Sequence, residues 1–238
     1  PPSLQYLPNN YSFFVLHRLT MTTLTFFTFT EHKYWAFKMM GGGSRLVKNT
    51  KGLSFFKLLG TGKKGFSILP DWSEYAFLAV WESEDDAALF FKDSMFINEY
   101  KKRCSKIINY DLRCIKVNGT WDGKSPFTAM KLLTVSEDDQ IGVITRASVK
   151  WHKLFRFWNY VPTSHQDLWD NPGLLFTKGI GDIPLLEMAT FSLWKNQEAI
   201  IQFAYKNEHH KKAIALTKKY NWYSEELFAR FVVKELRF

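Results

Sequence analysis

Two adjacent histidines, His209 and His210, are the residues here whose type and placement most readily do chemistry. A neutral imidazole binds metals and moves protons near neutral pH. Ile200, Phe203, Asn207, His210 and Ile214 recur every three or four residues, the spacing of one helical face. At about 100° per residue, His210 falls within about 40° of Phe203 and Ile214, while His209 is turned away. His210 therefore has two readings. It is either an imidazole aimed into an apolar space, where it can hold haem iron, or a core histidine bonded to backbone. His32 and His152 each precede a helix and read as caps or pocket residues; His165 sits in a polar loop.

Arg146 is the next such residue. It interrupts IGVITRASV, Ile141 to Val149, a half-buried strand pattern. A guanidinium facing inward there needs an anion, either a carboxylate of the protein or one carried by a bound group such as a haem propionate. Other catalytic signatures are absent: the chain has no GxSxG, no Walker A pattern and no HExxH. GTGKKG at Gly60 to Gly65 lacks the ending that opens a helix and reads as a strand-end turn. Gly179 and Gly181 make only a GxG between strands, too little for a dinucleotide site. The acidic run Glu82 to Asp86 reads as a helix start, where carboxylates meet the positive end of the dipole.

The elements that must position these groups are legible as an order. Residues 22–30, 53–62, 74–81 and 107–117 read as strands, with helices at 33–40 and 84–103. The order returns after the linker: a strand at 141–149, a helix at 151–160 stopped by Pro162, two strands around the Gly179, Gly181 and Pro184 breakers, a helix capped by Asn196, and a closing strand through Leu227 to Val233. FFKLLGTG followed by YAFLAVWESEDDAALFF is echoed by LLFTKGIG followed by MATFSLWKNQEAIIQF. The expected fold is α+β: two tandem ferredoxin-like repeats, residues 22–127 and 128–238, forming a dimeric α/β barrel-type sandwich within one chain. Its cavity is expected between sheets and helices, and only the second half carries a histidine on its long helix.

Composition sets the surroundings. Hydrophobic residues make up 46% of 238, aromatics 17%, with 22 Phe and 9 Trp, which suits an aromatic interior or a large apolar pocket. Cys104 and Cys114 fit no zinc or disulfide pattern, so the expected location is the reducing cytoplasm. The net charge of +9 lies in short clusters such as Lys101 to Arg103. It suits an acidic partner protein or a peripheral contact with an anionic membrane, and no motif points to nucleic acid. No apolar run approaches the roughly 20 residues that span a bilayer. Residues 1–21 lack a secretory pattern and read as a disordered N-terminal extension, or as sequence upstream of the natural start.

WAFKMMG, FFKLLGTGKKGF, TWDGKSPF, ITRASV, GLLFTKGIGDIPLLEMATFSLW, HKKAI and WYSEELFARFVV resemble, in the same order, segments of the spheroidene monooxygenase family, carotenoid ketolases of purple bacteria. The resemblance covers residues 22 to 238. It implies a haem b enzyme that converts a methylene of an apolar, carotenoid-like substrate to a hydroxy and then a keto group, using dioxygen and reduced ferredoxin or a similar electron donor. It implies the duplicated barrel architecture. It also makes His210, which matches the histidine of the family's H-x-x-A-I segment, the iron ligand, with His209 as the alternative. The preceding YKNEH departs from the family in lacking a Gly-Pro break. Arg146 and Trp121, placed in two of the matching segments, are the residues expected to line the cofactor's oxygen side. Two other readings stay open: a haem or apolar-ligand binding protein without turnover, and another haem enzyme on the same scaffold, such as an aldoxime dehydratase.

Overall fold

Alternation of threonine with leucine and phenylalanine makes β1 (Met21–Thr28), and every residue of it except Thr28 is buried. Such burial on both faces requires neighbours on both edges and a cover on each side. The computed structural model describes residues 20–63, 69–131, 133–160, 168, 171–183, 186–206, 216–217 and 219–237. Seven more strands follow β1: β2 (Leu53–Gly62), β3 (Pro70–Trp81), β4 (Lys106–Gly119), β5 (Ile141–Val149), β6 (Leu174–Ile183), β7 (Glu187–Trp194) and β8 (Tyr223–Arg237). All pairings are antiparallel, and the eight close into a barrel in the order β1-β3-β2-β6-β7-β5-β8-β4. Strands of residues 21–119 thus lie as β4-β1-β3-β2, and those of residues 141–237 as β8-β5-β7-β6.

Where the sequence suggested two sheets stacked as a sandwich, the strands form one continuous sheet. Closure satisfies the backbone groups that two open sheets would leave at their edges. The two seams are unequal. β4 and β8 pair from Ile108 with Arg237 to Gly119 with Leu227, whereas β2 and β6 share only Gly60 with Gly181 and Thr61 with Ile180. The barrel interior is packed: Phe26, Tyr110, Phe176 and Phe191 meet one another with ring centroids 5.2 to 6.3 Å apart, among Leu24, Leu78, Ile144 and Phe231.

Helices lie outside the barrel. α1 (Lys33–Gly42), α2 (Glu84–Asp93) and α3 (Met95–Lys101) cover the outer face of the first four strands in one apolar cluster centred on Phe27, Phe77, Trp81, Phe90, Phe96 and Tyr100. The single helix read over 84–103 is two, because Ser94 takes extended angles and its hydroxyl accepts from the Ile97 amide, capping a new start. On the other half, α4 (Leu154–Tyr160) follows a 3-10 turn at Trp151–Lys153, and α5 (Gln197–Lys206) begins where Asn196 accepts from the Ala199 amide. Among the described residues no helix is long and apolar enough to cross a membrane.

Candidate functional site

The outer face of the second half differs from that of the first in a way the register makes plain. Trp81 pairs with Met21 and Phe77 with Thr25; four positions apart in the same manner, Trp194 pairs with Ile141 and Thr190 with Thr145. Phe77 is fully buried and its ring lies 5.0 Å from that of Phe96 and 5.7 Å from that of Phe90. Thr190 offers no such bulk. Its row across the sheet is Gly179, Thr190, Thr145 and Phe228, and the next row carries Thr177, Ser192, Val143 and Arg230.

These rows mix small residues with Phe228, Val143 and Arg230. At one end Val149, Phe157, Met188 and Trp222 pack together; at the other Ile141, Val143, Trp194 and Ile200 do, with Phe203 of α5 against Trp194 at 5.1 Å. Thr145 is exposed although its strand neighbours Ile144 and Arg146 are buried. It opens onto a cleft of ≈ 270 Å³ lined by Asn118, Gly119, Ala147, Tyr223, Glu226 and Phe228. Burial, and then the nearby Glu226 charge, raise the Tyr223 phenol above its ordinary value, while a bond to Thr217 works the other way. Ser192 accepts from the Trp194 indole at 2.9 Å. The cleft is lined from β4, β5 and β8.

Arg146 faces the other way, into the barrel. It is 1% exposed, and its guanidinium meets Glu225, Asp122 at 3.3 Å and Glu187 at 3.5 Å. The protein-carboxylate partner expected as one of two readings is therefore present three times. Trp121, also 1% exposed, closes this end of the barrel between Arg146, 5.4 Å from its ring, and Lys57 at 5.9 Å. It reaches that place through a tight turn with Asp122 and Gly123 at positive φ, bridged from Trp121 to Lys124. The Glu225 carboxylate holds the turn by accepting from the Thr120 hydroxyl (2.6 Å) and the amides of Gly123 (2.7 Å) and Asp122 (3.1 Å). Burial alone would raise its pKa, but these donors and Arg146 bring it down to about 2.

Lys57 completes the cluster with its ammonium 2.5 Å from both Asp122 and Asp182. Burial works to raise the Asp182 carboxyl, yet Lys57 and a bond from Glu187 hold it below its usual range. Glu187 is pushed up, first by burial and then by Asp182. Within this carboxyl pair, flanked by Lys57 and Arg146, Glu187 is the member that binds a proton more readily. The carboxylates of Asp122, Asp182 and Glu187 lie within 4.8 Å of one another, but Lys57 already supplies the cation between two of them.

His210 and His209 lie outside the described residues, as does His165. His32 stands at the N-cap position of α1 without a side-chain cap bond, and His152 is exposed against Trp151. Arg146 and Trp121, expected to line the cofactor's oxygen side, lie against each other inside the barrel, on the opposite face of the sheet from Thr145. Sequence reasoning missed Thr145, Thr190, Lys57, Asp182, Glu187 and Glu225. The signal for Thr190 was present in the echo of YAFLAVW by MATFSLW, which sets it against Phe77.

This chain is 30% identical over 216 residues to spheroidene monooxygenase of Rhodobacter capsulatus, covering 90% of each chain. The chain belongs to the spheroidene monooxygenase family. A second spheroidene monooxygenase, from Cereibacter sphaeroides, is 31% identical over 89% of this chain and 66% of its own length. No family model matches the sequence. Among solved structures, an aldoxime dehydratase aligns with a TM-score of 0.61 at 10% identity over 90% of this chain and 81% of that one, which establishes a shared fold. In this spheroidene monooxygenase family member, the segments TWDG, ITRAS, GDIPLLE and YSEEL all contribute side chains to the cluster at the barrel mouth.

Proposed function

We propose that this protein is a haem-dependent monooxygenase that oxidises a methylene of an apolar, carotenoid-like substrate to a hydroxy and then a keto group. Family membership supports the oxygenase and its carotenoid substrate. The observation that carries the site is Thr145, exposed between buried strand neighbours and opening onto a cleft of ≈ 270 Å³ on the second half's outer face, where the first half's is filled around Phe77. Apolar clusters around Trp222 and around Trp194 lie on either side of Thr145 and suit an apolar ligand. Haem seated there would supply the activation of dioxygen, and His210, or His209 in its place, is the iron ligand in this reading.

The chain's own residues do the rest. Phe157, Met188 and Trp222 on one side and Trp194, Ile200 and Phe203 on the other exclude water and orient a long apolar substrate. Arg146 and Trp121, inside the barrel, hold the strands beneath the cleft in register. The matching strand orders support a duplication of ferredoxin-like units, residues 22–127 and 128–238. The positive net charge suits a reduced ferredoxin or similar acidic donor. Exposed Trp151 and Phe155, beside Lys153 and Arg156, suit peripheral contact with an anionic membrane.

Two measurements test the proposal. Protein purified from haem-replete cells is expected to show a Soret band; a colourless, folded chain overturns haem dependence. Expressed with an electron donor in a host that makes acyclic carotenoids, it is expected to yield hydroxy and keto products. Unchanged carotenoids beside soluble, haem-loaded protein leave a binding protein without turnover.

A further inference from the structure

We infer that the 3-10 turn Trp151–Lys153 and α4 form a docking element that seats Trp151 and Phe155 in the headgroup layer of an anionic bilayer and holds the cleft at Thr145 close to it. The inference deepens the proposed function: the choice of a lipid surface rests on the apolar substrate read there, because such a molecule dissolves in bilayers and not in water. Burial along the segment separates two faces. Leu154, Phe157 and Trp158 turn inward and pack with Val149, Met188 and Trp222, whereas Trp151, His152, Phe155, Arg156 and Asn159 are exposed.

A surface helix ordinarily turns its polar side to water. Here the outward side carries rings: Trp151 is 79% exposed and Phe155 83%, the highest values for large hydrophobic side chains among the described residues. Four positions apart, they stand on the same side of the segment. Cations surround them. Lys150, Lys153 and Arg156 lie in the same stretch, and residues 147–166 contain no Asp or Glu. Lys219 joins them, since its ammonium and the Arg156 guanidinium lie 5.7 and 5.1 Å from the same Tyr220 ring. Lys153 donates to the carbonyls of Tyr220 and Asn221, and none of these four cations takes part in an ion pair among the described residues. Uncompensated positive charge around two protruding rings matches an anionic lipid surface, where lysine and arginine meet phosphates and aromatic rings sit at headgroup level. The first half does not repeat this: on α1 the ring of Phe37 lies 5.3 Å from that of Trp72, and the Lys38 ammonium covers Tyr34 at 4.5 Å. α4 also reaches the site. Phe157, next to Arg156 in the chain, lies 5.9 Å from the Tyr223 ring, and Tyr223 lines the cleft. One short helix thus presents rings to lipid on its outer side and abuts the wall of the cleft on its inner side.

The test is co-sedimentation of the full-length chain with vesicles of phosphatidylcholine alone and of phosphatidylcholine mixed with phosphatidylglycerol. Wild type is expected to bind the mixed vesicles and to leave them as salt rises. Trp151→Ser with Phe155→Ser is expected to weaken binding about tenfold or more, and Arg156→Gln and Lys219→Gln about fivefold for each charge removed. All keep the wild-type melt, because the four side chains are exposed. Wild type that stays in solution with both kinds of vesicle overturns the inference, and so does binding that the serine variant retains in full. Wild type that ignores vesicles yet is held by an immobilised acidic ferredoxin, and released by Arg156→Gln, overturns it in favour of a protein partner. A wild-type dimer that the serine variant turns into a monomer overturns it in favour of a second copy. Vesicle binding is read without haem or turnover, so its failure leaves the oxygenase reading standing, and missing carotenoid products beside intact vesicle binding overturn the function and not the docking face.

Discussion

Arg146 and Glu225 meet inside the barrel mouth, the guanidinium of β5 donating to a carboxylate of β8 that also accepts from the amides of Asp122 and Gly123. One carboxylate therefore ties a buried cation to the turn that carries Trp121. Removing one member of a buried ion pair leaves the other without compensation and costs about 3 kcal/mol or more. Glu225→Ala is expected to lower unfolding free energy by about that amount in urea titrations. A cycle with Arg146→Met should show coupling between the two, although Arg146 also faces Asp122 and Glu187; additive losses in the double variant would count against the pairing.

Stability is expected to depend on pH through the same group. Glu225 is lowered from 4.5 to about 2 in the folded chain, so its contribution is present above the unfolded value and is lost as pH falls from 4.5 towards 2. Glu187 has the opposite sign, because its folded pKa is raised: it favours the fold at low pH and costs stability as pH rises through the folded value. Glu187→Gln should thus melt higher than wild type at pH 8 and lose that advantage near pH 4. Thermal melts across this range measure both, and a Glu187→Gln variant less stable at pH 8 would refute the upward shift of Glu187.

The weak seam between β2 and β6 is bridged by ion pairs as well as by its two backbone pairings. Lys57 on β2 reaches Asp182 on β6, and Lys178 on β6 reaches Asp71 and Glu74 on β3 at 3.1 and 2.6 Å. Lys57→Met leaves Asp122 and Asp182 facing each other and is expected to cost about 3 kcal/mol. Hydrogen exchange should show protection lost first at Gly60, Thr61 and Ile180, before the β4 and β8 seam opens.

Of the two adjacent histidines, His210→Ala is expected to remove haem uptake, read as loss of the Soret band on titration of the apo-chain, whereas His209→Ala keeps it. The reverse result assigns the ligand to His209 and shifts the helix phase by one residue. Neither substitution is expected to change the melting of the apo-chain by more than about 1 kcal/mol, because a metal-ligand role leaves the unliganded fold intact.

Strands were legible because their alternation is local: β2 and β5 begin and end where the residues said. The break at Ser94 was written in Asp93-Ser94 but masked by continuous apolar spacing on both sides, and the cap bond to Ile97 decided it. Arg146 shows the limit most clearly. A period of two says that Arg146 and Thr145 face opposite sides, and it cannot say which side is the barrel interior, because both faces of that strand carry apolar residues.

The amino-acid order by itself determined most of the strands and helices and the family. Closure of one barrel, the choice of Glu225, Asp122 and Glu187 as partners of Arg146, and the cleft at Thr145 were decided only by tertiary structure. The physical reason is range. Hydrogen-bonding alternation acts between neighbours in the chain, while a buried charge selects its partner, and a missing ring its consequence, from residues brought near by folding; Arg146 and Glu225 stand 79 positions apart.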